Sequence, residues 1–144
     1  MTLTYKKAQA EDIPRIYDLC KQLIDQYENT AQIAYEKVLA WVRRKLEAQI
    51  DQYTAVFANG QKAGYYHFFR NEDGQMELDD LYIFPDLQKK GIGTAVVKKC
   101  LAEASEPVIL YVFIRNTGAV QLYERLGFQV TETVGNTRYI MTHP

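Results

Sequence analysis

Asp79-Asp80-Leu81-Tyr82-Ile83-Phe84-Pro85-Asp86-Leu87-Gln88-Lys89-Lys90-Gly91-Ile92-Gly93-Thr94 carries two patterns in sixteen residues. Leu81 to Phe84 is apolar, β-branched and aromatic, which predicts a strand. Pro85 ends it, because proline has no N–H to give to a ladder. From Gly91 the period changes: Ile92, Ala95, Val96, Cys100 and Ala104 recur at three- and four-residue steps, predicting a helix. The loop between holds Gln88, two lysines and two glycines. The first turn of a helix leaves N–H groups unpaired at the positive end of its dipole. Glycines at 91 and 93 would let an anionic phosphate approach those groups, with Lys89 and Lys90 adding charge. A strand-to-helix loop with capping glycines and solvated lysines accounts for the same residues equally well. A dinucleotide loop would need a third glycine where Val96 stands, and no P-loop sequence is present.

Upstream, Leu3 to Ala8 reads as a weak first strand. Glu11-Asp12-Ile13-Pro14 opens a helix with Ile13, Ile16, Tyr17, Cys20, Leu23, Ile24 and Tyr27 on one face. A second helix is expected from Gln32 to Gln49, with Arg43-Arg44-Lys45 on a solvated face or against a ribose phosphate. Tyr53 to Ala58, the Asn59-Gly60 hairpin signal, Lys62 to Arg70 and a turn at 71–74 make an antiparallel meander into the opening strand. Downstream, Pro107 to Ile114 is apolar almost throughout and predicts a central strand, parallel to the opening one through a right-handed crossover. Thr117 to Leu126 reads as a short helix stopped by Gly127. Phe128 to Val134 and Thr137 to Thr142 close the chain as a hairpin. No repeat, linker or low-complexity tract interrupts residues 1–144, so a single mixed α/β domain is expected.

Two motifs carry a resemblance. Gln88-Lys89-Lys90-Gly91-Ile92-Gly93 matches a Q/R-x-x-G-x-G/A signature, and Asn116 to Phe128 matches N-x-x-A-x-x-L-Y-x-x-x-G-F. In that order, one strand apart, they resemble the acyl-coenzyme A loop and following helix of the GNAT superfamily of N-acetyltransferases. The resemblance implies a GNAT-like α/β (mixed α+β) fold: a central mixed sheet of about six or seven strands, helices on both faces, in the order βααβββαβαββ. It also implies acetyl-CoA as cosubstrate and an amine as acceptor, with a single acetyltransferase domain. By position, backbone groups of Leu81 and Ile83 would lie along the pantetheine arm. The amides of Gln88, Lys89, Lys90, Gly91, Ile92, Gly93 and Thr94 would hold the pyrophosphate. Asn116 would steady the arm where the two central strands part.

The reaction sets its own demands. An alkyl amine with a pKa of about 10.4 arrives as an ammonium and must lose a proton before attacking a thioester. Charge then gathers on the carbonyl oxygen, where a backbone N–H stabilises it. The thiolate that leaves benefits from a proton donor. Glu77 stands eleven residues before Gln88, where the family often places its catalytic carboxylate. Strand alternation would set Asp79, Leu81 and Ile83 on its face, making Asp79 a partner or substitute base, and would turn Asp80 away. Tyr123 holds the family's tyrosine position, as acid toward the thiolate. Against these roles stand an exposed acidic strand end and a core tyrosine.

Composition narrows the rest. A net charge of −1 gives no electrostatic field for nucleic acid, and no apolar run approaches the roughly 20 residues needed to span a bilayer. The N-terminus lacks the apolar core of a signal peptide, and Cys20 and Cys100 fall on apolar helix faces as free thiols. A cytoplasmic location is the expectation. Neither cysteine lies where the motifs converge, so direct transfer in a ternary complex is expected rather than an acyl-enzyme. His67 and His143 have no metal-ligand partner at useful spacing, so no metal is expected. Of the 11 tyrosines, Tyr27, Tyr35, Tyr65 and Tyr66 are read as lining a substrate cleft or packing in the core or a subunit interface, which leaves a homodimer open. The rival from another class is a non-catalytic acyl-CoA sensor or regulatory module.

Overall fold

The computed structural model describes residues 1–144. Its elements are β1 (Leu3–Lys7), α1 (Ile13–Tyr27), α2 (Tyr35–Gln49), β2 (Tyr53–Ala58), β3 (Gln61–Arg70), β4 (Met76–Ile83), α3 (Ile92–Glu103), β5 (Val108–Phe113), α4 (Thr117–Arg125), β6 (Gln129–Val134) and β7 (Arg138–His143). The order βααβββαβαββ is the expected one. Helix α2 starts three residues later than its sequence pattern suggests, because Thr30–Gln32 forms a separate 3-10 turn and Ile33 is extended. No helix is long and apolar enough to cross a membrane.

All seven strands join one sheet in the order β1-β2-β3-β4-β5-β7-β6. Only β4 and β5 pair in parallel, as their crossover through α3 requires. The β2–β3 hairpin turns at Asn59 and Gly60, whose φ values of 51° and 81° give the twist that tight hairpins need. The sheet separates two cores. On one face α1 and α2 bring Ile16, Leu19, Leu39, Val42 and Leu46 onto Tyr53, Tyr65, Tyr82 and Phe84. On the other, Ile92, Val96, Val97 and Cys100 of α3 pack with Val56, Leu78, Leu110, Phe128 and Met141.

Strand β4 does not keep simple alternation. Tyr65 faces Tyr82 and His67 faces Asp79, so a single β3 residue opposes both Asp80 and Leu81. This is a bulge, with Asp80 at a φ of 50°. It exchanges the faces of the strand. Met76 and Leu78 before it, and Leu81 and Ile83 after it, all pack on the α3 side. Leu81 and Ile83 therefore do not share a face with Glu77 and Asp79, as alternation had suggested. Asp80 is also corrected: it turns toward α2, where Lys45, Tyr53 and Tyr82 bind its carboxylate. Strands β4 and β5 pair only at Met76–Val108 and Glu77–Ile109 and then part, opening a wedge in the sheet.

Candidate active site

The wedge continues into a cavity of about 670 Å³ roofed by α1 and α2. Glu77, Asp79, Leu81, Asn116 and Tyr123, from four separate stretches of expectation, all line it. So do Lys45, Asp80 and Cys20, which sequence reasoning had set aside. Ile83 and residues 88–94 do not line the cavity; they form the surface beyond its end.

Lys45 is the centre of a largely buried ionic cluster. Its ammonium donates to Asp79 and, at 3.1 Å, to Asp80. Asp80 also accepts from the hydroxyls of Tyr53 (2.5 Å) and Tyr82 (2.9 Å). Burial alone would push Lys45 toward neutrality, but Asp80 and Asp79 together hold its pKa above the ordinary value. Burial likewise resists ionisation of Asp79, yet the His67 ring and Lys45 outweigh it and hold the carboxyl low. Asp80 goes the other way, raised by burial and by the neighbouring Asp79 charge. Lys45 thus leaves the solvated Arg43-Arg44-Lys45 face assigned to it; Arg43 and Arg44 remain exposed.

Glu77 has no cation within salt-bridge distance. Asn71, from the β3–β4 turn, donates to its Oε1 at 3.1 Å. That turn is itself held by the Asn71 side chain, which accepts from the amides of Asp73 and Gln75. Burial is the main cause that raises the Glu77 pKa, and Asp79 adds to it against Asn71 and Lys45. A carboxylate so placed holds a proton more readily than Asp79 does, as a general base requires.

Asn116 caps α4, its Oδ1 accepting from the Ala119 amide at 3.3 Å, which leaves the side-chain NH₂ free. At the other end, Gly127 (φ 97°) donates to Glu124 and Phe128 donates to Tyr123, closing a Schellman motif. Phe128 also packs edge-on against the Tyr123 ring at 5.7 Å. The spacing of Tyr123, Gly127 and Phe128 is thus a helix stop that fixes the tyrosine. Burial raises the Tyr123 hydroxyl to about 12, so it stays protonated at neutral pH.

In the loop, the α3 ladder begins with Ala95 donating to Gly91, so the amides of Ile92, Gly93 and Thr94 precede it. Gly91 sits at φ 83° and Lys89 at φ 62°, the turn that points the chain into the helix. The Ile92 side chain is core, which leaves only its backbone to a ligand. Lys89 and Lys90 are exposed, and Gln88 donates back to the Ile83 carbonyl at 2.9 Å.

Two further expectations change. Cys20 lies on the cavity wall, where the motifs converge, but burial and the Asp80 charge push its thiol up to about 12, far from the thiolate a nucleophile needs. Tyr27, Tyr35, Tyr65 and Tyr66 do not line the cavity. Tyr65 and Tyr66 are buried on opposite faces of the sheet, and the Tyr35 hydroxyl bonds Asp25 at the surface. Trp41, Tyr82, Tyr111 and Phe113 are the aromatic walls instead. No group of three or more His, Cys, Asp or Glu is placed to hold a metal ion.

The profile of the acetyltransferase (GNAT) family matches residues 15–128, from α1 through the site to Phe128. The chain belongs to that family. Among curated relatives, an uncharacterised N-acetyltransferase of Methanocaldococcus jannaschii is 37% identical over 62 residues, 40% of this chain and 27% of that protein. The match thus spans about a quarter of that relative's length. Among solved structures, an acetyltransferase from Thermus thermophilus superposes with a TM-score of 0.76 at 21% identity, covering 100% of this chain and 97% of the other. The PaiA N-acetyltransferase of Thermoplasma acidophilum, solved with coenzyme A, gives 0.71 at 21% identity over 99% of both chains. These GNAT structures share the fold, including the mixed seven-stranded arrangement described above.

Proposed function

We propose that this GNAT chain transfers the acetyl group of acetyl-CoA to a primary amine by direct attack in a ternary complex. The observation that carries this reading is the convergence of Glu77, Tyr123 and Asn116 on one cavity at the parting of β4 and β5. The loop fits a pyrophosphate, with three leading amides of α3, a left-handed Gly91 and two exposed lysines. The wedge leaves backbone of β4 beyond Glu77 without a strand partner on the β5 side, which suits an extended amide-bearing arm. Asn116 faces the same opening with a free amide donor.

Glu77 takes the proton from the attacking nitrogen, its raised pKa suiting the task. Tyr123, still protonated, donates to the sulfur as the C–S bond breaks. The three carboxylates Glu77, Asp79 and Asp80 against the single Lys45 favour an ammonium on the acceptor side. Trp41, Tyr111 and Phe113 supply apolar contact for the body that carries it.

Thiol release from acetyl-CoA against a panel of amines, amino acids, aminoglycosides and peptides tests the reading. Saturation is expected with at least one amine. Glu77→Gln should then lower kcat by about 10²-fold or more with little change in KM for acetyl-CoA. Parental activity with a parental pH–rate profile in that variant would remove Glu77 as the base.

A further inference from the structure

His67 is fully buried on β3, directly across the ladder from Asp79 on one side and Tyr53 on the other. Its ring is stacked between Tyr53 (4.4 Å) and Phe69 (4.0 Å) and cannot swing away. Nε2 lies 2.9 Å from Gln52 Oε1, an acceptor, so Nε2 carries a hydrogen. Nδ1 has no hydrogen-bond partner at all. The nearest charge to it is Asp79 Oδ2, at 3.9 Å. A neutral ring would thus point a buried lone pair at a buried carboxylate, an arrangement that costs about 1–3 kcal/mol for the unsatisfied atom alone. One proton on Nδ1 removes the conflict.

The reaction supplies that proton. An alkylammonium must lose two protons to become an amide: one before attack and one as the C–N bond forms. Glu77 takes the second, and Tyr123 delivers one to the leaving sulfur. The first remains to be placed. We propose that His67 is a positioning residue that takes this surplus proton through Asp79. The ammonium N–H breaks as Asp79 accepts, and Nδ1 of His67 receives the proton in turn, so that Asp79 is a carboxylate again. An imidazole has a reference pKa of about 6.5 against about 3.9 for Asp, so the proton rests on the ring. The imidazolium then donates from Nδ1 to Asp79 and from Nε2 to Gln52, which is exposed and opens the way to solvent. The charged and titratable groups around the ring are Asp79 and Glu77 on β4, Lys45 on α2 and the Tyr53 hydroxyl on β2; Asp79 lies between the ring and Lys45. This inference rests on the amine-acetylation reading.

The test is a pH–rate profile of His67→Gln with an alkylamine acceptor, repeated with an acceptor whose amine is already neutral at pH 7. The expected result is a kcat reduced about 10- to 100-fold near pH 7 with the alkylamine. The loss should shrink above about pH 10, where the amine enters neutral, and be absent with the weakly basic acceptor. An equal loss at every pH and with both acceptors, or no loss, overturns the proposal. Imidazole ¹⁵N spectra of the parent protein stand independently of activity and of the variant's folding. They should show both ring nitrogens of His67 protonated near neutral pH, and Nδ1 deprotonated in Asp79→Asn. A ring protonated at Nε2 alone from pH 6 to 9 in the parent overturns it even if no acceptor is found.

Discussion

At the scale of single residues, Lys45 does the most to define the site. It reaches from α2 to two adjacent carboxylates that a bulge turns toward the same side. In the sequence it stands in a run of three cations, and a solvated face is the ordinary fate of such a run. One signal pointed elsewhere: Val38, Val42, Lys45 and Gln49 follow steps of four, three and four, which puts the lysine on the stripe that faces the sheet. Lys45→Met leaves Asp79 and Asp80 buried without their cation. The expected loss is about 3–5 kcal/mol, read as a lower urea midpoint at unchanged slope. Adding Asp79→Asn and Asp80→Asn should recover part of it, because the uncompensated charge is what costs most. A single-variant loss under about 1 kcal/mol would mean that water or rearrangement solvates the pair. The sign with pH follows from the raised Lys45 pKa: its contribution is whole below about pH 10.4 and is lost as pH climbs through the folded value.

At the scale of elements, two local devices aim the chemistry. The β4 bulge brings Asp79 and Asp80 to one side while returning Leu81 and Ile83 to the α3 core, and period-two reasoning could not see it. No glycine marks it, since the residue with positive φ is Asp80. The Schellman stop of α4 was legible, because Gly127 and Phe128 stand at the spacing that such a stop requires. The α3 entrance offers a discriminating prediction. A Cβ on Gly93 would meet only Ile83 Cγ1 at 3.8 Å and Leu122 Cδ2 at 3.9 Å, ordinary contacts. Gly93→Ala should therefore keep the melting temperature or raise it, since glycine inside a helix costs roughly 0.5–1 kcal/mol against alanine. Coenzyme A binding, followed by titration calorimetry, should weaken at least tenfold if phosphate rests on the amides there. Binding within twofold of the parent would move the phosphate seat off this turn.

At the scale of the whole molecule, the sequence disclosed the seven strands, four helices and their order because each segment states its own period. What it withheld were contacts between segments far apart in the chain: Lys45 with Asp79, His67 with Asp79, and the turn residue Asn71 with Glu77. Asp12 belongs with these. It reads as an acid opening α1, yet it is buried and ties three elements, accepting from the Gln9 amide (2.8 Å), Lys62 (2.7 Å) and Tyr65 (2.7 Å). Burial resists its ionisation, but Lys62, the Gln9 amide and Tyr65 outweigh that and set its pKa below the usual value. Its stabilising contribution is therefore complete above about pH 3.9 and disappears as pH falls through the lower folded value. Glu77 and Asp80, raised by burial, act in the opposite sense: taking up protons as pH falls relieves the folded state. The two sets predict a stability maximum in mildly acid solution, with a decline only below about pH 4. Urea midpoints from pH 3 to 8 would show it. Asp12→Asn should lose about 1.5–3 kcal/mol at pH 7, the range for hydrogen bonds to a charged group, and lose less as the pH drops toward 3. An equal loss at pH 7 and pH 3 would show that the carboxylate's charge contributes nothing, and that shape and hydrogen bonding alone join β1, α1 and β3.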